Sequence, residues 1–302
     1  MEHTKDGAPL EHRAVNTNDI ELHVVTAGPV SGPPVLLLHG FPEFWYSWRR
    51  QIGPLSKAGY RVIAPDLRGY NLSGRPLSSR AYVPEALRAD LIGLLDAFGI
   101  EQAAVVGHDW GGVLAWMFAA DHPERVARLA ILNAPHPVAF RRSLVSDPGQ
   151  MLRSTYILFF QLPWLPEYLL RAQNFRMLEN ALVRTSRKGS FNAEDLVRYR
   201  QAWGRPGALS GMLAWYRALR RYVMRPLSAE QIRVPTRILW GRQDFALGPA
   251  LAEASLALCA RGELEWFDDA GHWLQHETAE RVNERLLDFL RQPASAAMTA
   301  SL

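Results

Sequence analysis

The sequence predicts an α/β fold, a mostly parallel sheet covered by helices and interrupted by a helical insertion. Three observations predict it. Short continuous apolar runs recur along the first half of the chain, and helical patterns alternate with them. From residue 139 to 228 the runs stop, and helical stretches rich in arginine, leucine and aromatic residues take their place. A continuous apolar run marks a strand buried on both faces, and strand–helix alternation builds parallel sheets. With 302 residues, 48% of them apolar, the chain can bury a sizeable core.

The first element is an alternating stretch, residues 20–25 (IELHVV), which reads as a strand with polar partners. Ser31-Gly32-Pro33-Pro34 breaks the chain, and residues 35–38 (VLLL) follow as a buried strand. Residues 61–65 (RVIAP), 103–106 (AAVV) and 129–132 (LAIL) are three more. Between them the spacing predicts a helix over 83–98, ending near Gly99, and another over 113–122, stopped by Pro123. After Pro137 the next buried strands are 236–240 (TRILW) and 263–267 (ELEWF). The helical stretch between is punctuated by Pro163, Pro166 and Gly204-Arg205-Pro206-Gly207. An amphipathic helix is expected over 279–290. The expected organisation is a first part of the core, 1–138, a helical lid, 139–228, a second part of the core, 229–292, and a disordered tail, 293–302.

A single cysteine, Cys259, excludes an intramolecular disulfide and fits a reducing compartment. The polar N-terminus lacks an apolar signal core, and no run of about 18 apolar residues occurs, so the expectation is a cytoplasmic protein without a transmembrane segment. The net charge of +4 is unevenly placed: residues 139–228 hold 14 Arg and 1 Lys against 5 acids, a local excess of +10. These arginines are scattered among apolar residues, as on a solvated helical face, and no nucleic-acid motif accompanies them. Contact of this segment with membranes or anionic ligands stays open, as does a homodimer. His276 stands four residues after His272, but no metal motif completes the pair, so neither metal nor cofactor is expected.

The strongest local signal is Val105-Val106-Gly107-His108-Asp109-Trp110-Gly111-Gly112: strand, glycine-flanked turn, helix. It follows the nucleophile-elbow pattern G-x-Nu-x-G, with aspartate where serine usually stands. Such a turn lifts one side chain above the sheet beside a helix N-terminus, whose dipole favours a carboxylate. Taken alone, Asp109 reads equally well as a helix N-cap. His39-Gly40-Phe41-Pro42 follows the strand at 35–38 and can aim the Phe41 N–H, together with the Trp110 N–H, at an oxyanion. The Phe41-Pro42 peptide is a candidate cis bond, and His39 reads as a structural histidine under the turn. Asp244 and His272 each stand just past the carboxyl end of a late strand, where ligands sit in open α/β sheets. The order Asp109, Asp244, His272 is that of a nucleophile, an acid and a histidine.

On these residues the chain resembles the soluble epoxide hydrolases of the α/β-hydrolase fold family. The similarity is carried by His39-Gly40-Phe41-Pro42-Glu43-Phe44-Trp45-Tyr46-Ser47-Trp48-Arg49, Asp66-Leu67-Arg68-Gly69-Tyr70 and Gly107-His108-Asp109-Trp110-Gly111-Gly112. It continues through Asn133-Ala134-Pro135-His136-Pro137, Asp244-Phe245-Ala246-Leu247 and Gly271-His272-Trp273, and spans nearly the whole chain apart from its ends. The resemblance implies two lid tyrosines as proton donors. Tyr156 stands five residues before Gln161 and Tyr216 precedes Arg217, as in that family. Asn71 departs from the pattern where relatives carry glycine, and asparagine tolerates the left-handed backbone needed there.

The chemistry so implied needs no cofactor. An aspartate is already ionised near neutral pH, so Asp109 attacks an sp³ carbon directly and forms an alkyl ester. Tyr156 and Tyr216 protonate the epoxide oxygen. His272, oriented by Asp244, then activates water, and Phe41 and Trp110 hold the oxyanion. The expected partners are a small hydrophobic epoxide and water, in a pocket formed by Phe41, Trp110, Phe159, Phe160, Leu162, Trp164 and Trp273. The alternatives are a haloalkane or haloacetate dehalogenase with the same aspartate nucleophile, and a non-catalytic ligand-binding homologue.

Overall fold

The computed structural model describes residues 2–4, 7–223 and 231–292. Nine strands form one sheet among the described residues: β1 (Glu2–His3), β2 (Pro9–Thr17), β3 (Ile20–Ala27), β4 (Pro34–Leu38), β5 (Arg61–Pro65), β6 (Ala103–His108), β7 (Val126–Leu132), β8 (Thr236–Gly241) and β9 (Gly262–Phe267). Their order is β1-β2-β3-β5-β4-β6-β7-β8-β9. The pairs from β1 to β5 through β3 are antiparallel, and those from β5 through β4 to β9 are parallel. This is the α/β-hydrolase architecture expected from the sequence.

The apolar runs lie at the centre. Val35, Leu36, Leu37 and Leu38 of β4, and Val105 and Val106 of β6, are fully buried. Helices α1 (Ile52–Lys57), α2 (Pro84–Ala97), α3 (Asp109–Asp121), α10 (Ala250–Leu256), α11 (Leu274–Glu277) and α12 (Ala279–Arg291) belong to the sheet-forming parts of the chain. Between β7 and β8 come α4 (Pro137–Ser146), α5 (Pro148–Arg153), α6 (Tyr156–Phe160), α7 (Leu165–Arg184), α8 (Ala193–Trp203) and α9 (Ala208–Val223). Helix α7 is broken at residues 172–175, where Gln173, Asn174 and Phe175 take positive φ. Residues 224–228 of the expected lid and the expected tail at 293–302 lie outside the described residues.

Two details differ from the sequence reading. Strand β2 (PLEHRAVNT) was not expected; it carries mostly exposed polar residues and pairs with β3. Helix α3 begins at Asp109 rather than at residue 113, so the Gly111-Gly112 pair is helical and not part of the turn. Among the described residues no helix is long and apolar enough to cross a membrane, and no cluster of His, Cys, Asp and Glu suits a metal ion.

Candidate active site

Asp109 sits where β6 turns into α3, with φ of 50°, a left-handed conformation that a non-glycine residue adopts only under strain held by its surroundings. The surroundings are tight. A Cβ on Gly111 would lie 2.2 Å from the Leu38 carbonyl oxygen, so only glycine lets the helix start against β4. A Cβ on Gly40 would lie 2.4 Å from Asp109 Oδ1, so the loop after β4 approaches the carboxylate only because position 40 is bare. That approach lets the Phe41 N–H donate to Asp109 Oδ1 at 2.7 Å. The Phe41–Pro42 peptide is cis. Trp110, the second expected oxyanion donor, occupies the first turn of α3, where backbone N–H groups lack helical acceptors.

The strand-end loops supply the rest of the polar side. His272 Nε2 lies 3.8 Å from Asp109 Oδ2, and His272 Nδ1 lies 2.8 Å from Asp244 Oδ2. Asp244 is buried but fully partnered. Its Oδ2 also accepts from Asn133 Nδ2 at 2.8 Å, and its Oδ1 accepts from the N–H groups of Ala246 at 2.8 Å and Leu247 at 2.9 Å. Burial alone would raise the Asp244 pKa; the imidazole of His272 and these donors outweigh it and hold the group below the usual value. For His272, burial works against the charged form, but the bonded Asp244 carboxylate, then Asp109 and Glu43, outweigh it and push the pKa up to about 9.

Tyr156 and Tyr216 reach the site from α6 and α9, and both line the cavity that contains Asp109. Their rings meet edge to face with centroids 6.0 Å apart. Burial, reinforced by the nearby Asp109 carboxylate, raises both pKa values, so both stay phenols at neutral pH. Tyr216 is wedged by ring edges, with centroids 5.1 Å from Phe41, 5.0 Å from Trp110 and 4.8 Å from Phe160. Gln161 Nε2 donates to the Tyr216 carbonyl at 2.8 Å, and Arg217 donates to the Phe160 carbonyl at 3.2 Å and to Glu167 at 2.6 Å. The residues that flank the tyrosines in sequence are therefore the ones that tie α6 to α9.

The pocket expected from the sequence needs correction. Trp164 is 71% exposed and precedes α7 with φ of 50°, and Leu162 is 44% exposed. An aromatic-rich helical sequence does not say which residues turn inward, and these two end on the surface. Phe160 and Phe41 pack behind Tyr216, Phe159 packs on Phe160, and Trp273 stacks its edge on His272 at 4.7 Å while its Nε1 donates to Thr185. The cavity, about 320 Å³, is lined instead by residues such as Val113, Met117, Val138, Phe140, Ile157 and Leu247, with Trp110 common to both sets.

Other residues around the site carried no functional expectation. Asn133, with φ of 40° at the end of β7, bridges the Asp244 carboxylate and the Gly241 N–H. His108 Nε2 donates to the His272 carbonyl at 2.9 Å, and Gln275 spans His108 and Glu43. Glu43 also accepts from Tyr199 of α8 at 2.6 Å and faces His276 at 2.7 Å. His39, as expected of a structural histidine, accepts from the Leu67 N–H at 2.9 Å, and Asn71 takes a positive φ of 40°. An asparagine just past a strand end, or a histidine beside the elbow, has no periodicity of its own to reveal such a role.

Comparison with known proteins places this geometry. A family model described as alpha/beta hydrolase fold matches residues 33–279. The chain is 46% identical over 277 residues to AB hydrolase superfamily protein YfhM of Bacillus subtilis, covering 92% of this chain and 96% of that protein. It is 37% identical over 284 residues to human Epoxide hydrolase 4, covering 92% of this chain and 78% of that protein. A crystal structure of Bacillus megaterium epoxide hydrolase in complex with an inhibitor superposes with a TM-score of 0.86 at 31% identity, covering 93% of this chain and all of that one.

Proposed function

This chain is a hydrolase of the α/β-hydrolase fold family, akin to the epoxide hydrolases, and on that premise we propose that it opens an epoxide to a vicinal diol through a covalent ester on Asp109. The observation that carries the reading is a carboxylate facing two phenols across one apolar cavity, with one of its oxygens already held by the Phe41 N–H.

The two oxygens of Asp109 have different neighbours. Oδ1 is gripped at 2.7 Å, so Oδ2 is the one free to attack an epoxide carbon. The C–O bond of the ring breaks as the new bond forms, and the negative charge moves onto the epoxide oxygen. Tyr156 and Tyr216 donate there, and one of them gives up its proton. In the ester, Oδ1 becomes the carbonyl oxygen and stays within reach of the Phe41 N–H, with Trp110 as the second donor. His272 removes a proton from water, which adds to Cγ of Asp109. The tetrahedral species then collapses and releases the diol with Oδ2 in it; the acid so formed protonates the departing oxygen, and the proton on His272 returns to the tyrosine that gave one up.

Charge gives this sequence its timing. Asp109 is one of three carboxylates that hold the His272 pKa up. Esterification removes that charge, so the His272 pKa falls and a larger fraction of the imidazole is free base once the ester exists. Residues 139–228 serve as the lid that carries the proton donors and excludes water during ring opening. The substrate is a small hydrophobic epoxide. A halide leaving group would instead call for N–H donors and would leave the two phenols that line the cavity with no alkoxide to protonate.

The test is a trapped intermediate. His272→Gln incubated with 1,2-epoxybutane is expected to gain the mass of the epoxide on the peptide bearing Asp109. A label on a different peptide would remove Asp109 as nucleophile.

A further inference from the structure

The cavity at Asp109 has a direction. Its wall on α3 is made by Asp109, Trp110, Val113, Met117 and Asp121; with Trp110 beside them, the other four recur one residue in four, so the wall follows one stripe of the helix. Twelve residues at a rise of about 1.5 Å make that stripe about 18 Å long. Val138, Phe140 and Leu144 of α4 form part of the same lining, so the middle of the channel is apolar. The far end is charged: Asp121 pairs with Arg88 at 2.9 Å, and both line the cavity. About 320 Å³ is at the low end for small-molecule pockets, so a channel this long is narrow.

Along α3 the nucleophile stands at one end of the lined stripe rather than in its middle. Phe245 and Trp273, whose rings lie 5.6 and 4.7 Å from that of His272, are not part of the lining among the described residues. A chain on one epoxide carbon has the α3 stripe to lie along, and the lining offers a second chain on the other carbon no comparable stripe.

We propose that the substrate is a monosubstituted epoxide bearing one linear apolar chain, laid along α3 with the epoxide at Asp109 and the chain end near the Arg88–Asp121 pair. At about 1.3 Å per methylene, the projection of a C–C bond of about 1.5 Å, the stripe holds a chain of roughly ten to fourteen carbons. This assignment rests on Asp109 as the nucleophile.

Its test is kcat/KM of the full chain for 1,2-epoxybutane, 1,2-epoxyoctane, 1,2-epoxydodecane and the internal isomer cis-6,7-epoxydodecane. The terminal series is expected to rise with length, by at most roughly fourfold per methylene. The internal isomer should fall at least about tenfold below 1,2-epoxydodecane. Leu144→Trp, which fills the far half of the channel, should lower kcat/KM for the twelve-carbon substrate more than for the four-carbon one. Equal values along the series, or an internal isomer as fast as its terminal counterpart, would overturn the assignment while leaving Asp109 in place. If none of the four epoxides gives diol or an ester on Asp109, the nucleophile reading fails, and this assignment falls with it.

Discussion

The two sides of the site are built on different principles. On the sheet side, Asp109, Asp244 and His272 leave the ends of β6, β8 and β9, and the Asp244 carboxylate receives four hydrogen bonds. On the helical side, Tyr156 and Tyr216 stand on α6 and α9 and are held chiefly by ring edges and by the ties from Gln161 and Arg217. A strand end held in a parallel sheet fixes an atom's position closely, as base and nucleophile geometry demand. A packed aromatic helix fixes a cavity wall and lets its length vary. On the proposed mechanism the sheet side supplies the nucleophile and the base that hydrolyses the ester, and the helical side supplies the acids for ring opening and the wall that chooses the substrate.

That division can be broken by variants that stop one half-reaction each. Tyr156→Phe combined with Tyr216→Phe removes both proton donors and should slow ester formation by about two to four decades, while leaving the decay of any ester formed within about threefold. Rapid-quench measurement of both steps checks it. Equal losses in the two steps would show that the phenols serve hydrolysis as well.

The next effect is in pH. Because His272 must be neutral to activate water, and because esterification removes one of the charges that push its pKa up to about 9, ester decay should rise about tenfold per pH unit and level off below pH 9. A decay rate flat from pH 6 to 9 would sever the base from this step. The same shift bears on stability. A histidine whose pKa is raised on folding contributes stability that is complete below about 6.5 and lost as pH rises through about 9. The melting temperature should therefore fall over that interval, and fall less in His272→Gln.

The smallest effect sharpens the comparison within the sheet side. Asn133→Ala leaves Asp244 with one donor fewer and the Gly241 N–H without its acceptor, which should cost about 1–3 kcal/mol of stability. Ester decay should slow about tenfold and ester formation hardly at all, as single-turnover traces of the two phases would register. A loss confined to formation would contradict the assigned role.

The same contrast governs what is legible in the sequence. Buried strands announce themselves: the runs at 61–65 and 236–240 match β5 and β8 to within one residue, because a short stretch apolar on both faces suits the middle of a parallel sheet and little else. The polar site residues then follow, each within five residues of the end of such a run. Strand β2 escapes because a strand near the rim of the sheet, with most of its side chains exposed, needs no apolar run, and PLEHRAVNT has none. The start of α3 is misplaced because glycines that usually mark a turn are here small residues under close packing. On the helical side the tyrosines are found by family resemblance rather than by pattern. Trp164 and Leu162 are misplaced because short, broken helices carry no reliable inward face. Asn133 and His108 act through a few specific hydrogen bonds, which no spacing encodes.

The account stands most directly on the fate of one oxygen atom. In a single turnover with enzyme in excess, run in water enriched in heavy oxygen, the diol should carry none of the label and the Asp109 carboxylate should carry it. A diol labelled in that first turnover, with Asp109 left unlabelled, would mean that water attacks the epoxide directly and that no ester forms on this residue.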